Sequence, residues 1–321
     1  MSRLDEDDVR VRPGRRSTRP RSKQRPAHED AADGMVIAVD RGRYTVLMDD
    51  VEIVAMRARE LGRKGIAVGD QVSVIGDLSG DPDALARIVR LGERSTVLRR
   101  TADDNDPNER VIVANADQLV IVSSLADPEP SYGLIDRCLV AALAAGMEPL
   151  LCLTKADLAK PDDALARYDA LSVPAIVTQR GDPLDELQER LAGQMSVFVG
   201  HSGVGKSTLI NVLVPTADRA TGRVSAIGKG RHTSSSAVAL RLPADDGWVI
   251  DTPGVRSFGL AHVTPDDLLW AFPDLEDGAT QCPPGCEHLS AAAGCTLDDW
   301  VASGHSSVER LAAFRRLLTS R

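Results

Sequence analysis

The stretch that constrains this chain most is MSVFVGHSGVGKSTLINVLV, residues 195–214. An apolar run ends at Gly200, passes through a loop with glycines at 203 and 205, and resumes as an amphipathic run at Lys206. The spacing Gly200, Gly205, Lys206, Ser207 fits G-x-x-x-x-G-K-S/T, a phosphate-binding loop between a strand and a helix. Glycines recur because the N–H groups from Ser202 to Thr208 can cradle α- and β-phosphates only where no side chain intrudes. A helix opening at Lys206 adds unpaired N–H groups and the positive end of its dipole. The candidate phosphate site is therefore Gly200, His201, Ser202, Gly203, Val204, Gly205, Lys206, Ser207 and Thr208. Lys206 is expected to reach the β- and γ-phosphates, Ser207 to ligate Mg²⁺, and Thr208 to hold the α-phosphate.

Residues 111–200 alternate near-continuous apolar strands with helical segments, such as YGLIDRCLVAALAAGM ending near Gly146. That alternation predicts a parallel sheet covered on both faces by helices. One of its strands runs through LLCLTKADL, and the loop Thr154, Lys155, Ala156, Asp157 falls at the carboxyl edge where such sheets bind ligands. The Asp157 carboxylate offers two acceptors that suit the N1–H and 2-amino group of guanine. Adenine has neither donor there, so a mismatch of this kind discriminates by roughly 10⁴-fold. The Lys155 stem can lie across the base plane. The base-reading loop thus precedes the phosphate loop, the reverse of the usual order.

The γ-phosphate side follows in WVIDTPGVRSFGL. Asp251 ends an apolar strand and suits a water-mediated hold on Mg²⁺, and the Gly254 N–H suits the γ-phosphate. Upstream, IGKGRHTSSS supplies Thr233 to close over Mg²⁺ and the γ-phosphate, with Ser234 and Ser235 as substitutes. Val255 stands where a water-orienting Gln is often found and cannot orient water. His232 is the candidate to do so, with Arg231 offsetting transition-state charge. Candidate catalytic residues are therefore His232, Lys206 and Thr233, and candidate Mg²⁺ ligands are Ser207, Thr233 and Asp251. Slow intrinsic hydrolysis that a partner accelerates is the expectation.

The flanks differ in character. Between Arg10 and Arg25 lie eight Arg or Lys and no acid, read as a disordered basic tail over residues 1–34, either a solubilising extension or an arm for RNA phosphates. The net charge of −9 argues against a wholly basic nucleic-acid binder. About five short strands between Met35 and Leu91 predict a small closed barrel of the OB type over residues 35–100. The barrel offers Tyr44 but few other aromatics, which gives base stacking little support, and Arg57, Arg59, Arg63 and Lys64 could supply nucleic-acid backbone contacts instead. Residues 101–262 form the nucleotide domain and 263–321 a helical module. In that module CPPGCEHLSAAAGC brings Cys282, Cys286, His288 and Cys295 together, a Cys₃His set for one structural zinc. Cys138 and Cys152 sit in apolar runs and read as core. The last helix is expected to start with a Ser306–Glu309 capping box and to expose Arg310, Arg315 and Arg316 at a polar edge, a candidate RNA face. No apolar run is long enough to cross a bilayer and no secretory signal opens the chain, so a cytoplasmic protein is expected.

The order TKAD, GHSGVGKS, HTSSS, DTPG and a cysteine–histidine knot, with ANADQLVIV, LIDRCLVAA and GKGRHT, resembles the ribosome small subunit-dependent GTPase A family, RsgA, whose GTPase domain is circularly permuted. The resemblance runs from about Met35 to the C-terminus. It implies an α/β multidomain chain with an N-terminal OB barrel, a permuted P-loop GTPase domain and a C-terminal zinc module. It also implies GTP hydrolysis stimulated by the 30S subunit during late maturation, contact with 16S rRNA, and release of another small-subunit assembly factor. A monomer is expected. Thr154 replaces the family's usual Asn, an amide that braces the phosphate loop. TQRGD, residues 178–182, stands where a Ser-Ala motif supports guanine, and the switch reads Thr-Ser-Ser rather than Thr-Thr-Thr. Three residues separate Cys282 from Cys286 and six separate His288 from Cys295, against four and five in the family's common form. A P-loop ATPase and an RNA-binding scaffold with little turnover are the competing readings of the residues.

Overall fold

A computed structural model describes residues 28–62, 65–81, 83–100, 110–217, 237–243, 246–252, 260, 262–291 and 294–321. Residues 1–27 of the tail, Arg63, Lys64, Arg231, His232, Thr233, Ser234, Ser235, Gly254 and Val255 lie outside the described residues, whereas Ala32, Asp33 and Gly34, read as tail, open the first barrel strand.

The barrel is built from β1 (Ala32–Asp40), β2 (Arg43–Met48), β3 (Val51–Arg57), β4 (Gln71–Ile75) and β5 (Ala86–Leu91). The pairing order β1-β2-β3-β5-β4 closes through β1 against β4, with β3 and β5 parallel and the rest antiparallel. Period-2 alternation sends Val36, Val46, Ile53, Ala55, Val72, Val74 and Ile88 inward as one apolar core. Tyr44 belongs to that core and is 7% exposed, so its ring packs the barrel instead of presenting a stacking platform. Buried Asp70 accepts from Arg94 Nε at 2.7 Å and from the Ala67 N–H at 2.8 Å, which closes the turn before β4.

A two-stranded ribbon, β6 (Val97–Arg100) with β7 (Arg110–Ala114), leads into the central sheet. Its strands are β8 (Gln118–Ser124), β9 (Glu148–Thr154), β10 (Ala175–Val177), β11 (Met195–Gly200), β12 (Val238–Arg241) and β13 (Trp248–Asp251). The order is β10-β9-β8-β11-β13-β12. The first five are parallel, as the apolar runs predict, and β8 is buried at every residue. β12 is antiparallel to β13, because the connection between them is a short turn closed by the Leu242 N–H to Gly247 carbonyl bond at 2.9 Å. A turn that short cannot make the crossover a parallel neighbour requires. Val238 of β12 also pairs with Ala38 of β1, joining barrel and central sheet edge to edge.

Helices cover both faces. Along β8, β9 and β11, side chains alternate between two cores. Leu119, Ile121, Leu151, Leu153 and Val197 face α1 (Tyr132–Ala144) and α2 (Asp162–Asp169). Val120, Val122, Leu150 and Phe198 face α3 (Asp185–Leu191) and α4 (Lys206–Leu213). Cys138 and Cys152 are core residues, and burial pushes both thiols up, Cys152 to about 12.

The C-terminal module consists of α5 (Pro265–Leu269), α6 (Pro273–Ala279), α7 (Leu297–Ala302) and α8 (Val308–Ser320). Phe314, Leu317 and Leu318 of α8 join the core shared with α1, and the rings of Phe272 and Phe314 meet edge to face at 5.0 Å. Ser307, not Ser306, caps α8, its hydroxyl accepting from the Arg310 N–H at 3.0 Å. Ser306 instead donates to Asp274 Oδ2 at 2.6 Å. The three arginines of α8 are turned inward, contrary to an RNA-facing edge. Arg310 pairs with Asp274 at 2.7 Å, Arg315 with Asp298 at 2.6 Å and Arg316 with Asp136 at 3.3 Å. Among the described residues no helix is long and apolar enough to cross a membrane.

Candidate functional site

The carboxyl ends of β9, β10 and β11 open onto a cavity of about 840 Å³. It is within the range of pockets that enclose small ligands. The phosphate loop forms one wall, contributing His201, Ser202, Gly203, Gly205, Lys206, Ser207 and Thr208. Thr154, Lys155 and Asp157 form another, and residues 178–182 a third. The TKAD and phosphate-loop motifs, 43 residues apart between Asp157 and Gly200, thus meet at one site.

The loop geometry follows from its glycines. At Gly200 a Cβ would stand 2.5 Å from the Val122 carbonyl oxygen, so only glycine lets β11 reach β8 at the point where the loop begins. Gly203 and Gly205 have φ of 85° and 97°, a region side chains disfavour. Gly205 is the residue before α4, and it lines the cavity with Lys206, Ser207 and Thr208 of the helix's first turn. Ser207 and Thr208 are exposed there, whereas Val204 is buried against the core.

Thr154 performs the bracing that an amide would supply. Its hydroxyl donates to the Val204 carbonyl at 2.6 Å, tying the base loop to the phosphate loop. Lys155 adopts φ of 60° and its ammonium donates to the Asp127 carbonyl. The Ala156 N–H donates to the Thr178 carbonyl at 3.3 Å, and the Leu158 N–H to the Lys155 carbonyl at 2.9 Å. Asp157 is left exposed on the cavity wall. The segment TQRGD forms a tight turn in which Gln179 N–H donates to Asp182 Oδ2 at 3.1 Å and Gly181 has φ of 93°. Arg180 thereby stands at the tip of the cavity's third wall. The turn residues Arg180-Gly181 directly after β10 are the sequence signal for this wall.

On the γ-phosphate side, Lys206 is buried at the start of α4 and donates to Asp251 Oδ1 and, at 2.7 Å, to the Thr252 carbonyl. The Thr252 hydroxyl donates to the Phe198 carbonyl at 2.7 Å, fixing the end of β13 to β11. Asp251 and Lys206 therefore neutralise one another beside the phosphate loop. The donor set of one carboxylate and the Ser207 hydroxyl, both hard oxygen ligands near phosphate, fits Mg²⁺.

A second constellation lies in the C-terminal module. One ligand atom from each of Cys282, Cys286, His288 and Cys295 falls within 4.8 Å of all the others. Cys282 Sγ is 3.9 Å from Cys295 Sγ and 3.6 Å from His288 Nδ1, and Cys295 Sγ is 3.7 Å from His288 Nδ1. A tetrahedral zinc with Zn–S near 2.3 Å places sulfurs about 3.8 Å apart, so the set fits that ion despite its altered spacing. Burial pushes the Cys295 thiol up to about 11 and lowers His288. At Cys282 burial also opposes ionisation, but the Thr296 hydroxyl and N–H hold its thiol below the ordinary range. His288 has φ of 57°, and its carbonyl accepts from Arg315 Nε at 3.0 Å, an outer support for the cluster.

Comparison with known proteins agrees with this arrangement. The family description RsgA GTPase matches residues 91–261. The small ribosomal subunit biogenesis GTPase RsgA of Ectopseudomonas mendocina (strain ymp) is 38% identical over 265 residues, 79% of this chain and 75% of the relative. That of Chlorobaculum parvum is 34% identical over 308 residues, covering 91% of this chain and 98% of the relative. Among solved structures, YloQ, described as a circularly permuted GTPase, superposes with a TM-score of 0.63 at 25% identity, covering 92% of this chain and 96% of that one. YjeQ from Thermotoga maritima gives a TM-score of 0.61 at 26% identity, covering 90% and 98%. On the family match over residues 91–261 and these relatives, the chain belongs to the RsgA GTPase family.

Proposed function

We propose that this chain binds GTP in the 840 Å³ cavity and hydrolyses it during biogenesis of the small ribosomal subunit. The observation that carries the reading is the single cavity lined jointly by the Lys155–Asp157 wall and the Ser202–Thr208 wall. Asp157 accepts from guanine, Lys155 covers the base, and the N–H groups of residues 202–208 hold the α- and β-phosphates. Lys206 leaves Asp251 for the β- and γ-phosphates, an exchange of one anion for another that keeps a buried ammonium paired throughout. Ser207, Thr233 and, through water, the freed Asp251 carboxylate would hold Mg²⁺, and the Gly254 N–H would sense the γ-phosphate. Mg²⁺, when bound, offsets charge on the phosphate oxygens. His232 orients the attacking water in place of the residue that Val255 cannot be. Cys282, Cys286, His288 and Cys295 would hold zinc, which would cross-link the segment from Cys282 to Cys295.

The names of the relatives, small ribosomal subunit biogenesis GTPases, support a 30S partner. We assign contact with 16S rRNA, stimulation by the 30S subunit, cooperation with other assembly factors, a cytoplasmic location and a monomeric state to the same reading. The domain limits at residues 100 and 262 belong to it as well, while β1 moves the start of the barrel back to Ala32. The test is nucleotide competition with turnover: GTP and GDP should displace a fluorescent guanine nucleotide where ATP does not, and GTP should be hydrolysed. Equal displacement by ATP would overturn the base assignment.

A further inference from the structure

The C-terminal helix closes over the far end of the helix that follows the base loop. Residues 158–161 separate Asp157 from α2, so α2 carries the loop at its N-terminal end. At its other end, Arg316 donates to the Arg167 carbonyl at 3.3 Å and Arg310 to the Ala170 carbonyl at 3.1 Å. Carbonyls in the last turn of a helix have no intrahelical partner and carry the negative end of the dipole. Two guanidinium groups from α8 therefore cap α2 from a different module.

Two half-buried arginines around a buried carboxylate fix the same junction. Asp136, on α1, is 2% exposed. Its Oδ2 accepts from Arg167 at 3.0 Å and lies 3.3 Å from Arg316 Nε. Arg167 sits 4.9 Å over the Tyr132 ring and Arg316 5.6 Å over the Tyr168 ring. Asp136 Oδ1, Arg167 Nε and Arg316 Nε are buried without a hydrogen-bond partner, so Arg316 meets Asp136 as an ion pair rather than a hydrogen bond. A partly satisfied buried cluster is poor value as glue, since apolar packing of equal volume is often as stable. It tolerates few arrangements, so its effect is to set the seating of α8 on α1 and α2.

We propose that Asp136 and Arg316 are positioning residues for nucleotide binding. They hold α2, and through it the Lys155–Asp157 loop, so that the seating of the C-terminal module sets affinity for guanine nucleotides whether or not a γ-phosphate is present. This rests on the base assignment to Asp157. By linkage, bound nucleotide strengthens the seating of α8 by the same factor.

The test uses the full chain with zinc, titrated with fluorescent GDP and with a non-hydrolysable GTP analogue. Arg316→Leu and Asp136→Asn should weaken both ligands equally, by about five- to tenfold. Arg316→Lys, which keeps the charge, should recover most of that loss. Zinc content and helical circular dichroism should match wild type, so that a change in affinity reports positioning rather than unfolding. If Arg316→Leu does not fold, the near-isosteric Asp136→Asn decides the matter. Variants that bind GDP as wild type does would overturn the proposal, as would weakening confined to the GTP analogue. Wild type that fails to bind GDP would instead overturn the base assignment itself.

Discussion

The Thr154 hydroxyl donates to the Val204 carbonyl at 2.6 Å, and this bond joins the loop that reads the base to the loop that holds the phosphates. Both residues are buried, so the acceptor has no water to fall back on. Thr154→Val keeps the shape and removes the donor, leaving a buried carbonyl unpaired at a cost of about 1–3 kcal/mol. Weaker GDP binding, by roughly tenfold, and a lower Tm are expected. Thr154→Asn should bind like wild type, because an amide can make the same bond. A GDP titration of the two variants checks both statements.

Asp157 stands exposed on the cavity wall. Asp157→Asn should therefore leave the Tm unchanged while GTP affinity falls by about 10²-fold or more. The amide presents a donor where guanine's 2-amino group needs an acceptor. Xanthine carries a carbonyl there, so XTP should bind the variant better than GTP does. Competition among GTP, XTP and ATP reads this directly.

Gly200 is a packing requirement at the root of the phosphate loop. In Gly200→Ala the new methyl meets the Val122 backbone oxygen at 2.5 Å, and neither partner is a flexible side chain. The strands β8 and β11 must separate, with a stability loss of about 2 kcal/mol or more. Thermal unfolding with and without GDP should show a lower Tm in both cases and a smaller shift on adding nucleotide.

Much of this site was legible from sequence because its parts are local. A phosphate loop needs an apolar strand, small residues and a helix start in immediate succession, and MSVFVGHSGVGKST contains all three. The knot of Cys282, Cys286, His288 and Cys295 is also compact in sequence. Side-chain destinations across long separations were not legible. Tyr44 gives stacking little support in the sequence, and closure of the barrel places it in the core. Arg310, Arg315 and Arg316 read as a basic edge until α8 packs against Asp274, Asp298 and Asp136. The antiparallel β12 escaped because strand direction depends on the connection, and the brace from Thr154 because its partner is 50 positions away.

The cysteine cluster should carry one zinc per chain. Binding energy of a structural zinc is folding energy, so removal should melt the module rather than loosen it. Trp300 reports this locally: its ring stacks on His305 at 3.8 Å and its N–H donates to the Asp274 carbonyl at 2.8 Å. A strong chelator, or Cys282→Ser, should shift tryptophan emission to longer wavelength and lower helix content. Metal analysis finding no zinc in pure protein would contradict the assignment.

The central claim is that this cavity turns over GTP on the small subunit. The direct measurement is the rate of GTP hydrolysis with and without purified 30S subunits, for wild type and His232→Ala. The account predicts slow turnover alone, a rate raised by at least about tenfold with 30S, and loss of most of that stimulation in His232→Ala with GDP affinity unchanged. A wild-type rate indifferent to 30S would contradict the ribosomal assignment, and full stimulation of His232→Ala would remove His232 from the mechanism.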